Sequence, residues 1–120
     1  MAFSGLDDRG WHGTEQALAA SPEQKAQARS ELDRVIASLS SVDAAYASGN
    51  AAEAEAKFEE ATSSWNKVSP ALSAREAREA QLLFDSLKTK LKSRASAPEV
   101  NSTVYGMLEE LSEDIAGELR

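Results

Sequence analysis

The sequence predicts an all-α fold, an up-down-up-down antiparallel four-helix bundle. Apolar residues recur in alternating steps of three and four along four segments, a spacing that places them on one face of a helix. Serine or asparagine stands before each segment, and these residue types cap the starts of helices. The breaks between the segments are short, so consecutive helices must fold back on one another. A chain of 120 residues is long enough for one domain with a single core.

The first twenty residues are predicted to form a flexible N-terminal arm, and residues 21–120 to form the bundle. Within the arm, one short helical turn is predicted over residues 14–20. Trp11 is expected to pack back on the bundle, because tryptophan is seldom left fully exposed. The first helix is predicted to begin after Ser21, which is followed by proline and, three residues on, by Gln24, and to continue to about residue 48.

The turn Ser48-Gly49-Asn50 joins the first two predicted helices. Gly49 can adopt the left-handed conformation that often ends a helix. Asn50 and Glu53 have the spacing of a capping box, which would open the next helix. That helix is predicted to run from about Ala51 to Val68. The two helices therefore form an αα-hairpin with facing apolar seams.

The second half of the chain is predicted to contain the other two helices. The pair Ser69-Pro70 ends the second helix, because proline disfavours helical geometry in the residue before it. The third helix has two alternative starts, with either Ser69 or Ser73 as its cap. Residues 93–97 form the next break, and Ser96 is predicted to cap the fourth helix.

The predicted core consists of the apolar seams of all four helices. Gly106 lies in the middle of the fourth helix, where glycine costs about 0.5–1 kcal/mol relative to alanine. A close helix crossing is therefore expected at that position. The residues expected to be buried together are Leu32, Val35, Leu39, Val42, Phe58, Ala61, Trp65, Phe84, Leu87, Leu91, Val104, Leu108, Leu111 and Ile115.

Composition excludes several classes of function. A formal net charge of −7 argues against binding to the phosphate backbone of nucleic acids. No apolar run approaches the length of a transmembrane helix, so the chain is predicted not to span a membrane. The absence of cysteine excludes disulfides and thiolate zinc sites. The one histidine, His12, lacks the preceding glutamate of a di-iron bundle site, so neither an enzyme nor a required cofactor is predicted.

Acidic residues crowd the C-terminal half of the fourth helix, where their charge opposes the negative end of the helix dipole. Carboxylate oxygens suit hard cations such as calcium, magnesium or ferric iron. The sequence therefore predicts a weak cation site or a docking surface for a basic partner. The alternative interpretation is a solvated face that keeps the domain soluble. The candidate metal ligands are Glu109, Glu110, Glu113 and Asp114.

The third helix contains the segment Arg75-Glu76-Ala77-Arg78-Glu79, which has the form Arg-Glu-x-x-Glu. This pattern is associated with iron permeases, where it lies within the membrane. It also arises by chance in polar, charge-rich helices. Glu76 and Glu79 are therefore predicted to serve in helix capping and in surface pairing.

The middle of the chain contains a tyrosine, a glycine turn, a small residue, a tryptophan and a proline in an order that is also found in a known family. These are Tyr46, the turn Gly49-Asn50, Ala54, Trp65 and the run Pro70-Ala71-Leu72. From about Ser21 to Leu119 the chain resembles the helical extracytoplasmic domain attached to bacterial high-affinity iron permeases. Ser69 stands where that domain has a glutamate, so no acidic ligand is expected there. A smaller resemblance, to a tetratricopeptide motif, rests on Gly49, Ala54, Phe58 and Ala61.

The permease resemblance implies a non-enzymatic helical domain of the bacterial envelope, in the periplasm. Such a domain would support iron uptake or sensing through weak cation binding or through contact with another protein, such as a membrane transport component. The alternative is a structural protein–protein interaction module or sensor-type helical module with no metal role. A cytoplasmic location is the alternative to the periplasm, and both a monomer and a dimer are consistent with the sequence.

Overall fold

The computed structural model describes residues 20–120, in which four α-helices form a bundle without any β-strand. The predicted arm, including Trp11, His12 and the turn that ends at residue 20, lies almost wholly outside the described residues. The helices are α1 (Pro22–Ala47), α2 (Ala51–Val68), α3 (Ala74–Lys92) and α4 (Ala97–Glu110). A 3₁₀ turn (Ser69–Ala71) precedes α3, and α4 continues as a π-helical segment (Leu111–Ile115) and a short helical turn (Ala116–Glu118).

The helices lie beside one another in a closed arrangement. Helix α1 packs against α2 and α4, and α3 packs against α4 and, more loosely, against α2. The predicted all-α four-helix bundle is confirmed. None of the helices within residues 20–120 is both long and apolar enough to span a membrane.

Serine caps fix the starts of three helices. Ser21 and Ser96 each form a complete capping box. The serine hydroxyl accepts a hydrogen bond from the backbone N–H three residues later, and the side chain of that residue, Gln24 or Glu99, accepts one from the backbone N–H of the serine. Ser73 caps α3, with its Oγ accepting from the N–H of Glu76 at 3.3 Å. This settles the alternative left by the sequence, because Ser69 begins the separate 3₁₀ turn.

The hairpin between α1 and α2 turns through a Schellman motif. Gly49 has a φ of +87°, as predicted, and its N–H donates to the carbonyl of Tyr46. The N–H of Asn50 donates to the carbonyl of Ala45 at 2.9 Å, so it is not available to Glu53. Only half of the predicted capping box forms: Asn50 accepts from the N–H of Glu53, and the return bond to Glu53 comes from the Asn50 side chain.

The core matches the predicted seams with one exception on α4. Leu108 is only partly buried, and the adjacent Met107 is 1% exposed. The apolar residues that follow are Leu111, Ile115 and Leu119, which are spaced by fours. A step of four overshoots one α-helical turn by about 40°, so such residues drift off a straight seam. The wider π-helical turn over Leu111–Ile115 keeps all three in the core.

Gly106 does not mark a helix crossing, and that prediction is wrong. The residue is exposed, and no atom of another helix lies within 4 Å of the position that a Cβ would occupy. Aromatic rings join α2 and α3 within the core. Trp65 stacks on Phe84 with ring centroids 5.3 Å apart, and its indole N–H donates to Gln81 at 3.1 Å.

Candidate cation site

Three carboxylates from two helices converge at the acidic end of α4. They belong to Glu76 in the first turn of α3, Glu110 at the end of α4, and Asp114 in the π-helical segment. One oxygen from each residue lies within 4.8 Å of the others. We call these three residues the carboxylate cluster. Its geometry follows from the topology, because the start of α3 lies beside the end of the antiparallel α4.

Local structure holds each member of the carboxylate cluster in place. Glu76 is fixed in the first turn of α3 by the cap bond from its N–H to Ser73. Glu110 and Asp114 are four residues apart, so they share one face of their helix. A further hydrogen bond links the helical turn after Asp114 to the start of α3, because the side chain of Glu118 accepts from the N–H of Ser73 at 2.9 Å.

A bond from α1 completes this support. The guanidinium of Arg29 donates to the carbonyl of Leu119, at the last turn of the chain. Leu119 itself is fully buried, so the segment that carries Asp114 and Glu118 is anchored by both packing and hydrogen bonds. The cluster thus lies between the start of α3 and the end of α4, rather than on a loop.

Several oxygens at this site are buried without a hydrogen bond. Oε1 of Glu76 and Oε2 of Glu110 accept no bond from residues 20–120, and neither does Oε1 of Glu118. The side chains of Glu76 and Glu110 are partly buried, whereas Asp114 is exposed. Protein therefore covers one side of the cluster and solvent reaches the other. A buried acceptor without a donor is costly, so these oxygens favour a proton or a cation.

Burial and mutual repulsion both raise the affinity of the cluster for protons. The pKa of Glu110 is raised to about 7, chiefly by burial and also by a hydrogen bond to Asp114 in the protonated form. The negative charges of Asp114, Glu76 and Glu79 contribute to the same rise. The pKa of Glu76 is also raised, first by burial and then by neighbouring carboxylates, with Arg75 acting in the opposite sense.

Within residues 20–120, no basic side chain forms an ion pair with the cluster. Among residues 20–120, ion pairs join Lys57 to Glu60, Arg75 to Glu79 and Arg94 to Glu55, and none involves the three cluster carboxylates. Arg75, the nearest basic influence on Glu76, points to Glu79 at 3.4 Å. The helix dipole favours a negative charge on Glu76, which lies in the first turn of α3, whereas Glu110 and Asp114 lie in the C-terminal half of a helix that continues to Glu118.

The structure separates the four ligands predicted from the sequence into two pairs. Glu110 and Asp114 belong to the cluster, whereas Glu109 and Glu113 are exposed and lie outside it. The sequence analysis missed Glu76, which it assigned to capping and pairing. Its position in the first turn of α3, beside the end of an antiparallel α4, was the available signal.

The described surface also carries exposed apolar side chains and shallow clefts. The large apolar side chains exposed within residues 20–120 are Leu82 and Tyr105, which lie on different helices. A shallow cleft of about 130 Å³ runs between α2 and α3, with Phe58 and Leu91 in its floor and charged residues along its sides. Neither feature combines convergent polar groups with burial as the carboxylate cluster does.

Comparison with known proteins gives no match among family models, curated proteins or solved structures. The resemblances to the permease-associated domain and to the tetratricopeptide motif therefore stay predictions.

Proposed function

We propose that this protein is a non-enzymatic helical-bundle domain that binds a hard metal cation at the carboxylate cluster. The observation that carries the proposal is the convergence of Glu76, Glu110 and Asp114 within 4.8 Å, with buried oxygens that lack hydrogen-bond donors. The resemblance to the permease-associated domain adds the biological setting. In that setting the protein supports iron uptake or sensing in the bacterial envelope, in contact with a transport protein.

The chemistry of the ligands defines the class of cation. All three offer carboxylate oxygen, which suits calcium, magnesium, manganese or ferric ions and not soft metals. A cation would supply the positive charge that no ion pair within residues 20–120 provides. It would also satisfy the buried oxygens of Glu76 and Glu110, and relieve the mutual repulsion that adds to burial in raising their pKa values.

The number of ligands indicates modest affinity. Calcium takes 6–8 oxygen ligands and magnesium prefers six, so three residues leave several positions to water. Asp114 is exposed, which gives a cation and its waters an open approach. Affinity for calcium is therefore expected in the range of weak extracellular modules, with a Kd of about 10⁻⁴–10⁻³ M.

Two matched double variants on α4 test the proposal. E110Q/D114N removes two charges from the cluster, and E109Q/E113Q removes two charges from exposed positions one residue away. Calorimetric titration with calcium, manganese and ferric citrate should give binding heat for the wild type and for E109Q/E113Q. The E110Q/D114N variant should give none, although its free form should melt at a higher temperature because repulsion is relieved.

Two results would count against cation binding. The first is the absence of both binding heat and a melting shift when the wild type is mixed with millimolar metal. The second is equal binding by the two double variants, which would indicate a diffuse charge effect. Such an effect would also weaken steeply with added salt, since exposed charges are screened over about 8–10 Å.

A further inference from the structure

We draw no further inference here: the strongest candidate, the cleft between α2 and α3 lined by Phe58, Glu59 and Lys88, carries nothing because nothing in the structure shows what covers it.

Discussion

The two hairpins of the bundle turn through the same backbone motif with different residues. Between α1 and α2, Gly49 occupies the left-handed position at a φ of +87°. Between α3 and α4 the equivalent position is held by Arg94 at a φ of +56°, again with Schellman hydrogen bonds across the turn. Arg94 also donates to the carbonyl of Leu91 and pairs with Glu55. Side-chain bonds can therefore hold a turn for which glycine would be the default residue.

The hairpins differ more at the ends away from their turns. The α1–α2 hairpin has a capped start, a glycine turn and a continuous apolar seam. In the α3–α4 hairpin the end away from the turn combines a π-helical segment with the carboxylate cluster. Departures from local rules concentrate at functional sites, and π-helical turns often do as well. The contrast places the candidate function at one end of the second hairpin.

The largest expected change in stability concerns the α1–α2 hairpin. Leu39 on α1 is fully buried, so Leu39→Ala should reduce the free energy of unfolding by about 2–5 kcal/mol. Leu108→Ala provides the comparison on α4, and because Leu108 is only partly buried it should cost clearly less. Urea denaturation of both variants measures the difference. Equal losses, or a loss below about 1 kcal/mol for Leu39→Ala, would mean that the seams are misassigned.

Substitutions at two glycines separate the effect of backbone strain on stability from the effect of helix propensity. Gly49→Val should cost about 1–3 kcal/mol, because a β-branched residue is poorly tolerated at positive φ. Gly106→Ala should instead stabilise the protein by about 0.5–1 kcal/mol, because Gly106 is helical with open space around its Cβ position. Thermal denaturation reports both changes. Destabilisation by Gly106→Ala would show that this glycine has a role that the bundle contacts do not reveal.

The pH dependence of stability should distinguish the acidic end from the rest of the bundle. Glu110 has a pKa of about 7 in the folded protein, above the 4.5 of an ordinary glutamate. Between these values the folded state binds more protons than the unfolded state, so this group makes stability fall as pH rises from 4.5 to 7. The loss should be about 1–2 kcal/mol, because solvent screens a partly exposed cluster.

Urea denaturation between pH 4.5 and pH 8 isolates this contribution when the wild type is compared with two variants. E110Q should remove most of the slope, because glutamine does not titrate. E109Q should keep the slope, since Glu109 lies outside the cluster. If E110Q and the wild type show the same slope, Glu110 does not take up a proton in this pH range.

The sequence predicted the features that depend on local chemistry. The serine caps, the positive φ of Gly49 and nearly all seam residues follow from patterns within a few positions. Leu108 was assigned wrongly, because the adjacent Met107 is also apolar and takes the buried position between Val104 and Leu111. A close crossing at Gly106 was wrong because helix propensity says nothing about which neighbours approach.

The same reasoning predicted only part of the candidate site. The acidic run on α4 is visible as a rule-breaking charge pattern, and it contains Glu110 and Asp114. To tell these two candidate ligands from Glu109 and Glu113, one must know which way each side chain faces around the helix axis. The π-helical segment changes that direction for the residues within and after it. Glu76 is 34 residues before Glu110 in the chain, so its participation depends on how α3 and α4 align and not on any local motif.

The most direct test of cation binding is therefore a comparison across the two helices. E76Q and E79Q each remove one charge from α3, but only Glu76 reaches the carboxylate cluster, while Glu79 pairs with Arg75. Calorimetric titration with calcium at fixed ionic strength should show at least a tenfold loss of affinity in E76Q, equivalent to about 1.4 kcal/mol. E79Q should bind within a factor of about three of the wild type. Equal affinities for E76Q and the wild type would contradict a cation site built between α3 and α4.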